Sequence, residues 1–210
     1  MNGNAVFSAG KALNFGTVET ENKAHYVPNA DNYYKLDQKQ EVGSQLNVTG
    51  NLDTVGKSAV EMRGVSVTSN GTMNVLSDGN INIQEARYKE QLSSGSKSKS
   101  RGLTSSTTEV YRHKHDYDVA EASNLDADKI NLHSNNGNIT IQGSNVVGEN
   151  GLTVQAKNID IKEAENKVYS EDFHSKKKSG VLGGGGLGVT FGAQKQTLES
   201  DKTKFYAQGS

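Results

Sequence analysis

Residues 137–166 read GNITIQGSNVVGENGLTVQAKNIDIKEAEN, and the pattern in this stretch decides the fold. Ile139 and Ile141 recur as Ile159 and Ile161, twenty positions further along the chain. In a strand such as NITIQ, alternate side chains point to opposite faces, so both isoleucines of a pair share one face. A chain that returns at this interval buries that face by laying each strand parallel to the preceding one, about 4.8 Å further along.

Nearly the same interval recurs earlier in the chain, where Val60 and Met62 return as Ile81 and Ile83. Gly and Asn occupy the turns, as in NNGN at residues 135–138, because they adopt a left-handed backbone conformation at low cost. A fold with helical crossovers would need a dozen or more residues, usually helical, between parallel strands. The pattern therefore predicts an all-β chain folded as a parallel β-helix. The predicted core stack consists of Ile130, Leu132, Ile139, Ile141, Leu152, Val154, Ile159, Ile161, Val60, Met62, Ile81 and Ile83.

A longer repeat, with an offset of nearly eighty positions, lies over the short one, since Leu46 matches Leu125 and Ile81 matches Ile159. Each copy begins with a shaft of short-period strands and continues with a charged, Ser-rich excursion that lacks the period. We predict one β-helical unit over residues 1–210, in which 1–43 end a preceding repeat with its excursion. The two further copies are 44–122, with shaft 44–84 and excursion 85–122, and 123–210, with shaft 123–162 and excursion 163–210.

Composition narrows the class of protein. Leu, Ile, Val and Phe make up only about a fifth of the chain, but 23 Lys and Arg balance 24 Asp and Glu, which argues against disorder. The absence of cysteine excludes disulfides and thiolate metal sites. No apolar run reaches the ~20 residues of a membrane-spanning helix, and the start, MNGNAVFSAG, lacks the regions of a signal peptide.

The chain begins inside a repeat, so we expect a piece of a longer polypeptide with Met1 added for initiation. The ends of such a shaft expose unpaired strand edges, which pair readily with other chains. End-to-end self-association of the chain is therefore expected.

The chain from about Ser44 onwards carries a resemblance to a known family, which is clearest in its last 75 residues. The strand ITIQGS, the exit IDIKEAEN with its counterpart NINIQEARY, the Ser/Lys segment and the run GVLGGGGLGVTFGA are its main features. With these features the chain resembles the second repeat family of filamentous haemagglutinins and of the toxin-delivery proteins of contact-dependent growth inhibition. The resemblance covers most of the chain from about Ser44, whereas YVPNADNYYKLDQ has no recognisable counterpart.

The resemblance implies a very long, secreted exoprotein at the surface of Gram-negative bacteria, folded as a right-handed β-helical filament. It implies export by two-partner secretion through a dedicated outer-membrane transporter, with a periplasmic stage. In the toxin-delivery proteins, such repeats precede the C-terminal toxin and are associated with carrying it through the target cell's outer membrane. The implied partners are the secretion transporter and the target cell's outer membrane or a surface receptor.

The run SGVLGGGGLGVTFGAQ at residues 179–194 is the leading candidate for a functional contact. Its apolar residues Val181, Leu187, Val189 and Phe191 fall on alternate positions, with Gly or Thr between them. Such a strand either inserts into a bilayer, as outer-membrane strands of about ten residues do, augments a partner sheet, or folds back over the shaft. The glycines also fit G-x-G-x-x-G, but VTFGAQ does not begin a helix, so no nucleotide site is expected.

Two polar motifs have competing interpretations. HKHDYD places His113 and His115 on one strand face, with ligands that zinc or nickel accepts, but no further His or Cys lies nearby and a solvated hairpin is favoured. The basic segments SKSKSR (96–101) and SKKKS (175–179) are short and flanked by acids. Nucleic acid binding normally takes a larger basic footprint with stacking aromatics, so we expect solvated loops and no nucleic-acid partner.

Carboxylate pairs such as Asp126/Asp128 and Glu163/Glu165 also occur in β-helices that cleave polysaccharides. A glycosidase needs two carboxylates that face each other across a groove, and nothing in the sequence converges in that way. We expect no catalytic residue, metal or cofactor. The leading hypothesis is a structural and delivery segment of a toxin-delivery exoprotein, and the alternatives are an adhesin filament and, more remotely, a β-helical polysaccharide enzyme.

Overall fold

The computed structural model describes residues 1–182 and 190–209. All regular secondary structure in these residues is β-strand. The all-β prediction is therefore confirmed. Twelve of the described strands pair in parallel and six in antiparallel fashion, so the sheets are mixed rather than parallel throughout. The parallel strands are β1 Ala5–Ala9, β2 Ala12–Phe15, β5 Gln45–Val48, β6 Leu52–Gly56, β7 Ala59–Arg63, β8 Ser66–Ser77, β9 Asn80–Gln84, β12 Asn124–Ser134, β13 Ile139–Gln142, β14 Asn145–Gly148, β15 Leu152–Gln155 and β16 Ile159–Lys162. The antiparallel strands are β3 Val18–Tyr26, β4 Tyr33–Val42, β10 Ala86–Arg101, β11 Ser105–Glu121, β17 Ala164–Leu182 and β18 Thr190–Gln208.

The parallel strands form layers, and the chain passes through up to three strand positions before it starts the next layer. Two of these positions lie in a seven-stranded sheet. The long strands β8 and β12 of this sheet each run through both positions. The third position is a five-stranded sheet in the order β16-β13-β9-β7-β2. In that sheet Ile139 pairs with Ile81 on one side and with Ile159 on the other. A strand therefore stacks on its predecessor whether or not an excursion separates the two in sequence.

Most of the predicted core stack is buried between these layers. The fully or nearly fully buried members are Val60, Met62, Ile81, Ile83, Ile130, Leu132, Ile139 and Ile141. Leu152, Ile159 and Ile161 instead expose 46%, 47% and 62% of their surface, and Val154 is half-buried. These four residues lie in the last layer of parallel strands, which has a neighbouring layer on one side only.

The core also has a row that the predicted stack does not include. Val67 and Leu125 are buried at the first strand position, between Leu46 and Val146 of the neighbouring layers. Burial of each such side chain contributes roughly 1.5–3 kcal/mol, so no layer is stable alone and the stack folds as a unit.

Stacked amides bind the layers together on the outside. The side-chain amide of Asn74 donates to Asp53 Oδ1 at 2.7 Å, and its Oδ1 accepts from Asn131 at 2.8 Å. Asn158 donates to Asn138 in the same way at 3.0 Å. Such ladders are typical of stacked parallel strands, and they explain why asparagine is abundant within the strands as well as in the turns.

Three β-hairpins leave the parallel stack and pair with one another. They comprise β3 with β4, β10 with β11, and β17 with β18, and they form a six-stranded antiparallel sheet in the order β18-β17-β11-β10-β4-β3. The prediction of protruding hairpins did not include this pairing, because hairpin-to-hairpin register has no short-range signal in the sequence. The two later hairpins begin at Ala86 and Ala164, one residue after the starts predicted for the excursions.

The junctions between stack and hairpins are equivalent in the two copies. Gly64 and Gly143 have φ angles of 60° and 52°. A Cβ on these glycines would lie 2.7 Å from the Cβ of Ala86 and 2.5 Å from that of Ala164, respectively. Both the left-handed backbone and the close approach require glycine. These contacts fix where each hairpin leaves the stack.

Candidate contact surface on the antiparallel sheet

The antiparallel sheet has two chemically different faces. Strand alternation and the cross-strand register put most of the tyrosines of these strands on one side of the sheet, which we call the tyrosine face. Its members include Tyr34, Leu36, Tyr88, Leu92, Tyr111, His113, His115 and Tyr117. The opposite, ion-pair face carries charged side chains that neutralise one another. Its pairs include Lys39–Glu19 at 2.9 Å, Arg87–Asp118 at 2.7 Å and Lys114–Asp116 at 3.4 Å.

Strand β11 supplies a row of rings along the tyrosine face. The ring centroids of His113 and His115 are 6.1 Å apart, and those of His115 and Tyr117 are 3.7 Å apart. Tyr111 stacks on His174 of the neighbouring strand at 4.2 Å. The prediction placed His113 and His115 on one strand face, and in the structure their rings lie half-buried among these aromatics.

A shallow groove of about 320 Å³ lies about midway along strands β10, β11, β17 and β18. Tyr111, His174 and Leu198 line it, and Leu198 is 70% exposed. At its floor, His113 Nδ1 lies 2.7 Å from Asp172 Oδ1. Flat aromatic rings beside a carboxylate and an imidazole suit contact with a polar ring or an amphipathic surface.

A hydrogen-bonded network joins strands β4 and β10 on the same face. The Tyr88 hydroxyl donates to Glu90 Oε2 at 2.6 Å, and the Gln38 amide donates to the same oxygen at 2.7 Å. Donation by Tyr88, then by Gln38, lowers the pKa of Glu90. The hydrogen bond to Glu90 raises the pKa of Tyr88 in turn. The network therefore favours an ionised Glu90 carboxylate and a protonated Tyr88 phenol at neutral pH.

Arg87 contacts all three hairpins near the parallel stack. Its guanidinium donates to Asp118 Oδ1 at 2.7 and 2.9 Å and to the carbonyl oxygen of Glu165 at 3.0 Å. Its backbone N–H donates to Glu41 Oε2, which also accepts from Arg63 of the parallel stack. Arg87 has no signal of its own in the sequence. The Glu-Ala dipeptide at residues 85–86, which recurs at residues 163–164, marks the junction but not these contacts.

Two of the four predicted contact residues, Val181 and Phe191, lie at the distal end of β17 and β18. Val181 is half-buried, and its N–H donates to the Thr104 carbonyl oxygen at 3.1 Å. Phe191 is paired with Val181 through the backbone. Leu187 and Val189 lie outside the described residues.

The structure brings the two basic segments together, although they are far apart in sequence and belong to different copies of the repeat. Lys99 and Lys177 both pair with Thr108, and Lys195 pairs with Lys177 on the other side. They therefore occupy one row across the distal end of the sheet, in strands rather than loops.

The two carboxylate pairs lie in different parts of the molecule, with Asp126 and Asp128 on β12 of the parallel stack and Glu165 on β17 of the antiparallel sheet. Asp128 accepts from the Asn150 side-chain amide at 2.5 Å on the parallel stack. Glu163 and Glu165 lie at the start of β17, beside Phe205 and Tyr206.

Comparison with known proteins identifies the class of this chain. The family described as "Hemagglutinin repeat" matches residues 29–112 and 103–210. The chain therefore belongs to the hemagglutinin repeat family, and it is a segment of the kind carried by large CdiA-type secreted exoproteins. No solved structure matches it.

The curated relatives are more than ten times longer than this chain. The tRNA nuclease CdiA of Yersinia mollaretii is 29% identical over 66% of the chain and 5% of its own length. The 16S rRNA endonuclease CdiA of Enterobacter cloacae subsp. cloacae is 35% identical over 53% of the chain and 3% of its own length. The tRNA nuclease CdiA-2 of Burkholderia pseudomallei is 24% identical over 77% of the chain and 5% of its own length. The chain thus spans about a twentieth or less of each of these proteins.

Two kinds of feature are absent from the part of the chain that the structure describes. No helix there is both long and apolar enough to cross a membrane. In residues 1–182 and 190–209, no three His, Asp or Glu side chains are grouped so as to hold a metal ion.

Proposed function

We propose that this chain is a non-catalytic shaft segment of a CdiA-type exoprotein, folded as a right-handed parallel β-helix with lateral hairpins. The proposal rests on the register of the parallel strands, in which equivalent residues of successive layers pair directly. The excursions between these layers fold as hairpins. The predicted division into copies 44–122 and 123–210 is part of this proposal, as is the twelve-residue core stack. Such a stack is long, rigid and extendable by repetition, because each layer contacts only its neighbours.

We further propose that the segment helps a C-terminal toxin to cross the target cell's outer membrane. The relatives that support this role are named as nucleases of tRNA or 16S rRNA, while their matching part is a small repeat region. The repeat would then position or carry a cargo that lies elsewhere in the protein. Its partners in this role are the two-partner secretion transporter during export and the target cell's outer membrane or a surface receptor on arrival.

The distal end of the antiparallel sheet is the proposed contact point. Val181, Leu187, Val189 and Phe191 are the residues proposed to meet the membrane or a partner sheet. Val181 and Phe191 are paired at the end of the sheet opposite the junctions with the stack, which is where a protruding hairpin meets another surface first.

A chimera tests this function. The matching region of the Yersinia mollaretii relative is replaced by this chain, either unchanged or with Val189→Asp and Phe191→Asp. We expect the unchanged chimera to be displayed on the cell surface and to inhibit the growth of target cells. The double variant should be displayed equally but inhibit at least about tenfold less, because two buried charges oppose entry into an apolar phase. Thr203→Asp and Lys204→Asp, two exposed positions on β18 away from the distal end, provide the control. Equal inhibition by the double variant and the control would refute the proposed contact.

An adhesin filament is a second candidate because of the tyrosine face. Tyr26, Tyr34 and Tyr111 expose 71%, 42% and 47% of their surface. Exposed flat rings on a rigid sheet bind sugar rings or other amphipathic surfaces. An adhesin role predicts that the displayed chimera binds target cells through these tyrosines whether or not it inhibits growth.

A further inference from the structure

Four cations form a basic collar around the distal end of the antiparallel sheet. Lys99 and Arg101 lie on β10, Lys177 on β17 and Lys195 on β18, and the register places all four on the ion-pair face. Residues two apart on a strand are about 7 Å apart, and neighbouring strands are about 4.8 Å apart. The collar is therefore a patch roughly 15 Å wide.

The collar lacks the carboxylate partners that several cations nearer the stack have on this face. Nearer the stack, Lys39, Lys89 and Lys114 each form an ion pair with a carboxylate, at 2.9, 3.7 and 3.4 Å. Among the described residues, no carboxylate lies within ion-pair distance of any of the four collar cations. Lys177 and Lys195 even face each other directly across β17 and β18. Like charges directly opposite each other destabilise a sheet, so this arrangement suits an anion from outside the chain.

The side chains between the cations also suit phosphate oxygens. Thr108 separates Lys99 from Lys177, and Ser106 pairs with both Arg101 and Ser179. Hydroxyl donors beside Lys and Arg are typical phosphate contacts.

The hairpin turn beyond the collar is apolar at its tip. Leu103, in the turn between β10 and β11, is fully exposed at 107%. It lies two residues beyond Arg101, so their Cα atoms are at most about 7 Å apart. Interfacial protein segments enter the headgroup layer of a membrane by about 5–10 Å. With Leu103 at the boundary of the acyl chains, Arg101 would therefore lie at the level of the phosphates.

We infer that the distal end of the sheet is a phosphate-recognition site for a lipid surface, with Leu103 as the inserting tip and Lys99, Arg101, Lys177 and Lys195 as phosphate ligands. The inference deepens the proposed function, since it takes this end of the sheet as the part that meets the target envelope. A lipid surface is favoured over a soluble polyanion because an exposed apolar tip has no role in binding the latter.

The test uses the complete 210-residue chain and sedimentation with lipid vesicles. The chain should bind phosphatidylcholine vesicles that contain roughly 30% phosphatidylglycerol and bind pure phosphatidylcholine weakly, and raising the salt from about 0.1 M to 0.5 M should weaken the binding. Each cation near an anionic surface contributes about fivefold, so Lys99→Gln with Lys177→Gln should weaken binding about 25-fold. Lys57→Gln with Lys157→Gln changes the net charge equally on exposed turns of the parallel stack and should leave binding unchanged.

A gain-of-stability variant separates binding from folding. Lys195→Glu places opposite charges at the directly paired positions on β17 and β18. We expect this variant to have an equal or higher Tm and still to bind anionic vesicles at least about fivefold more weakly. Undiminished binding by Lys195→Glu and by the Lys99/Lys177 double variant would overturn the inference.

Soluble ligands distinguish the source of the phosphate. Leu103→Ser should weaken vesicle binding, and inorganic pyrophosphate should bind the chain far more weakly than the vesicles do. Pyrophosphate binding as tight as vesicle binding, with no effect of Leu103→Ser, would assign the collar to free phosphate and refute the lipid surface. Collar-dependent binding of a single-stranded oligonucleotide tighter than that of vesicles would refute it as well.

The chimera distinguishes failure of this inference from failure of the proposed function. Collar variants that bind no vesicles yet inhibit target cells fully would refute the role of the collar and leave delivery standing. A chimera that inhibits no target cells, while its isolated segment binds anionic vesicles through the collar, would refute delivery and leave the site standing.

Discussion

At the scale of single residues, position in the stack decides what an isoleucine contributes. Ile139 and Ile159 are directly paired neighbours in the same sheet, yet the first is 0% exposed and the second 47% exposed. The same hydrocarbon therefore removes very different amounts of apolar surface from water. Sequence identity alone gives no hint of this difference, because both residues occur in the same motif.

A pair of alanine variants measures that difference. We expect Ile139→Ala to lower the free energy of unfolding by about 3–4 kcal/mol, since it leaves a cavity among close-packed layers. Ile159→Ala should lower it by only about 1 kcal/mol, because half of the side chain already contacts water. Urea denaturation followed by circular dichroism gives both values. Equal losses for the two variants would mean that the layers around Ile139 are not close-packed as described.

At the scale of elements, the sequence predicts the parallel strands better than the hairpins. Every layer repeats the same alternation, so the spacing of Ile81, Ile139 and Ile159 in the sequence predicts that they occupy equivalent positions. The pairing between hairpins is accompanied by contacts such as those of Arg87 with the Glu165 carbonyl oxygen and with Glu41. These residues are far apart in sequence and have no periodic signal, so neither the six-stranded sheet nor its tyrosine face follows from local patterns.

In the candidate sites too, the sequence predicts local alternation but not the pairing between hairpins. His113 and His115 share a face as predicted, because alternation along one strand is local. The meeting of Lys99 with Lys177 across Thr108 was missed, because it requires the register of two hairpins. Treated separately, the basic segments resembled solvated loops, and only the sheet combines them into one surface.

The Tyr88 network makes the stability of the hairpin sheet dependent on pH. The folded-state pKa of Glu90 is below its ordinary value of 4.5, so its stabilising effect is complete above that pH and disappears as pH falls through the lowered folded-state pKa. The pKa of Tyr88 is raised above 10.0, so its effect is complete below that pH and disappears as pH rises through the raised value.

Tyr88→Phe tests this network. The variant should lose about 1 kcal/mol of stability at pH 7, a value reduced from that of a buried charged hydrogen bond because the network is only partly buried. At a pH well below the folded-state pKa of Glu90, the difference from the parent chain should shrink, since the protonated carboxyl is a weaker acceptor. Urea unfolding at both pH values provides the measurement, and Tyr111→Phe, which keeps the ring stack on His174, is the control. A loss that is the same at both pH values would show that Glu90 is not the partner that matters.

At the scale of the whole molecule, the parallel stack and the antiparallel sheet both have strands without a neighbour on one side, and these strands lie at the same two ends. The last parallel layer leaves Leu152, Ile159 and Ile161 half-exposed or more, and β18 is an edge strand of the antiparallel sheet. At the other end, β1 and β2 pair on one side only, and β3 is the opposite edge strand. Within the sheet, the second strand of each hairpin pairs antiparallel with the first strand of the next. A second copy stacked head to tail would therefore continue both patterns, with β3 of one copy beside β18 of the other.

Head-to-tail stacking predicts concentration-dependent oligomers that grow without closing, because the two joined surfaces differ. Ile159→Lys with Ile161→Lys should shift the chain towards monomer, since each charge would enter an apolar layer, and should cost little stability because both side chains are already about half exposed. Thr153→Lys with Gln155→Lys adds the same charge to exposed, outward positions of the same layer and should leave the oligomers intact. Sedimentation velocity over a wide range of concentrations measures the distributions. If the isoleucine variant and its control associate equally, the last layer is not the joining surface, and any association must arise from the edges of the antiparallel sheet alone.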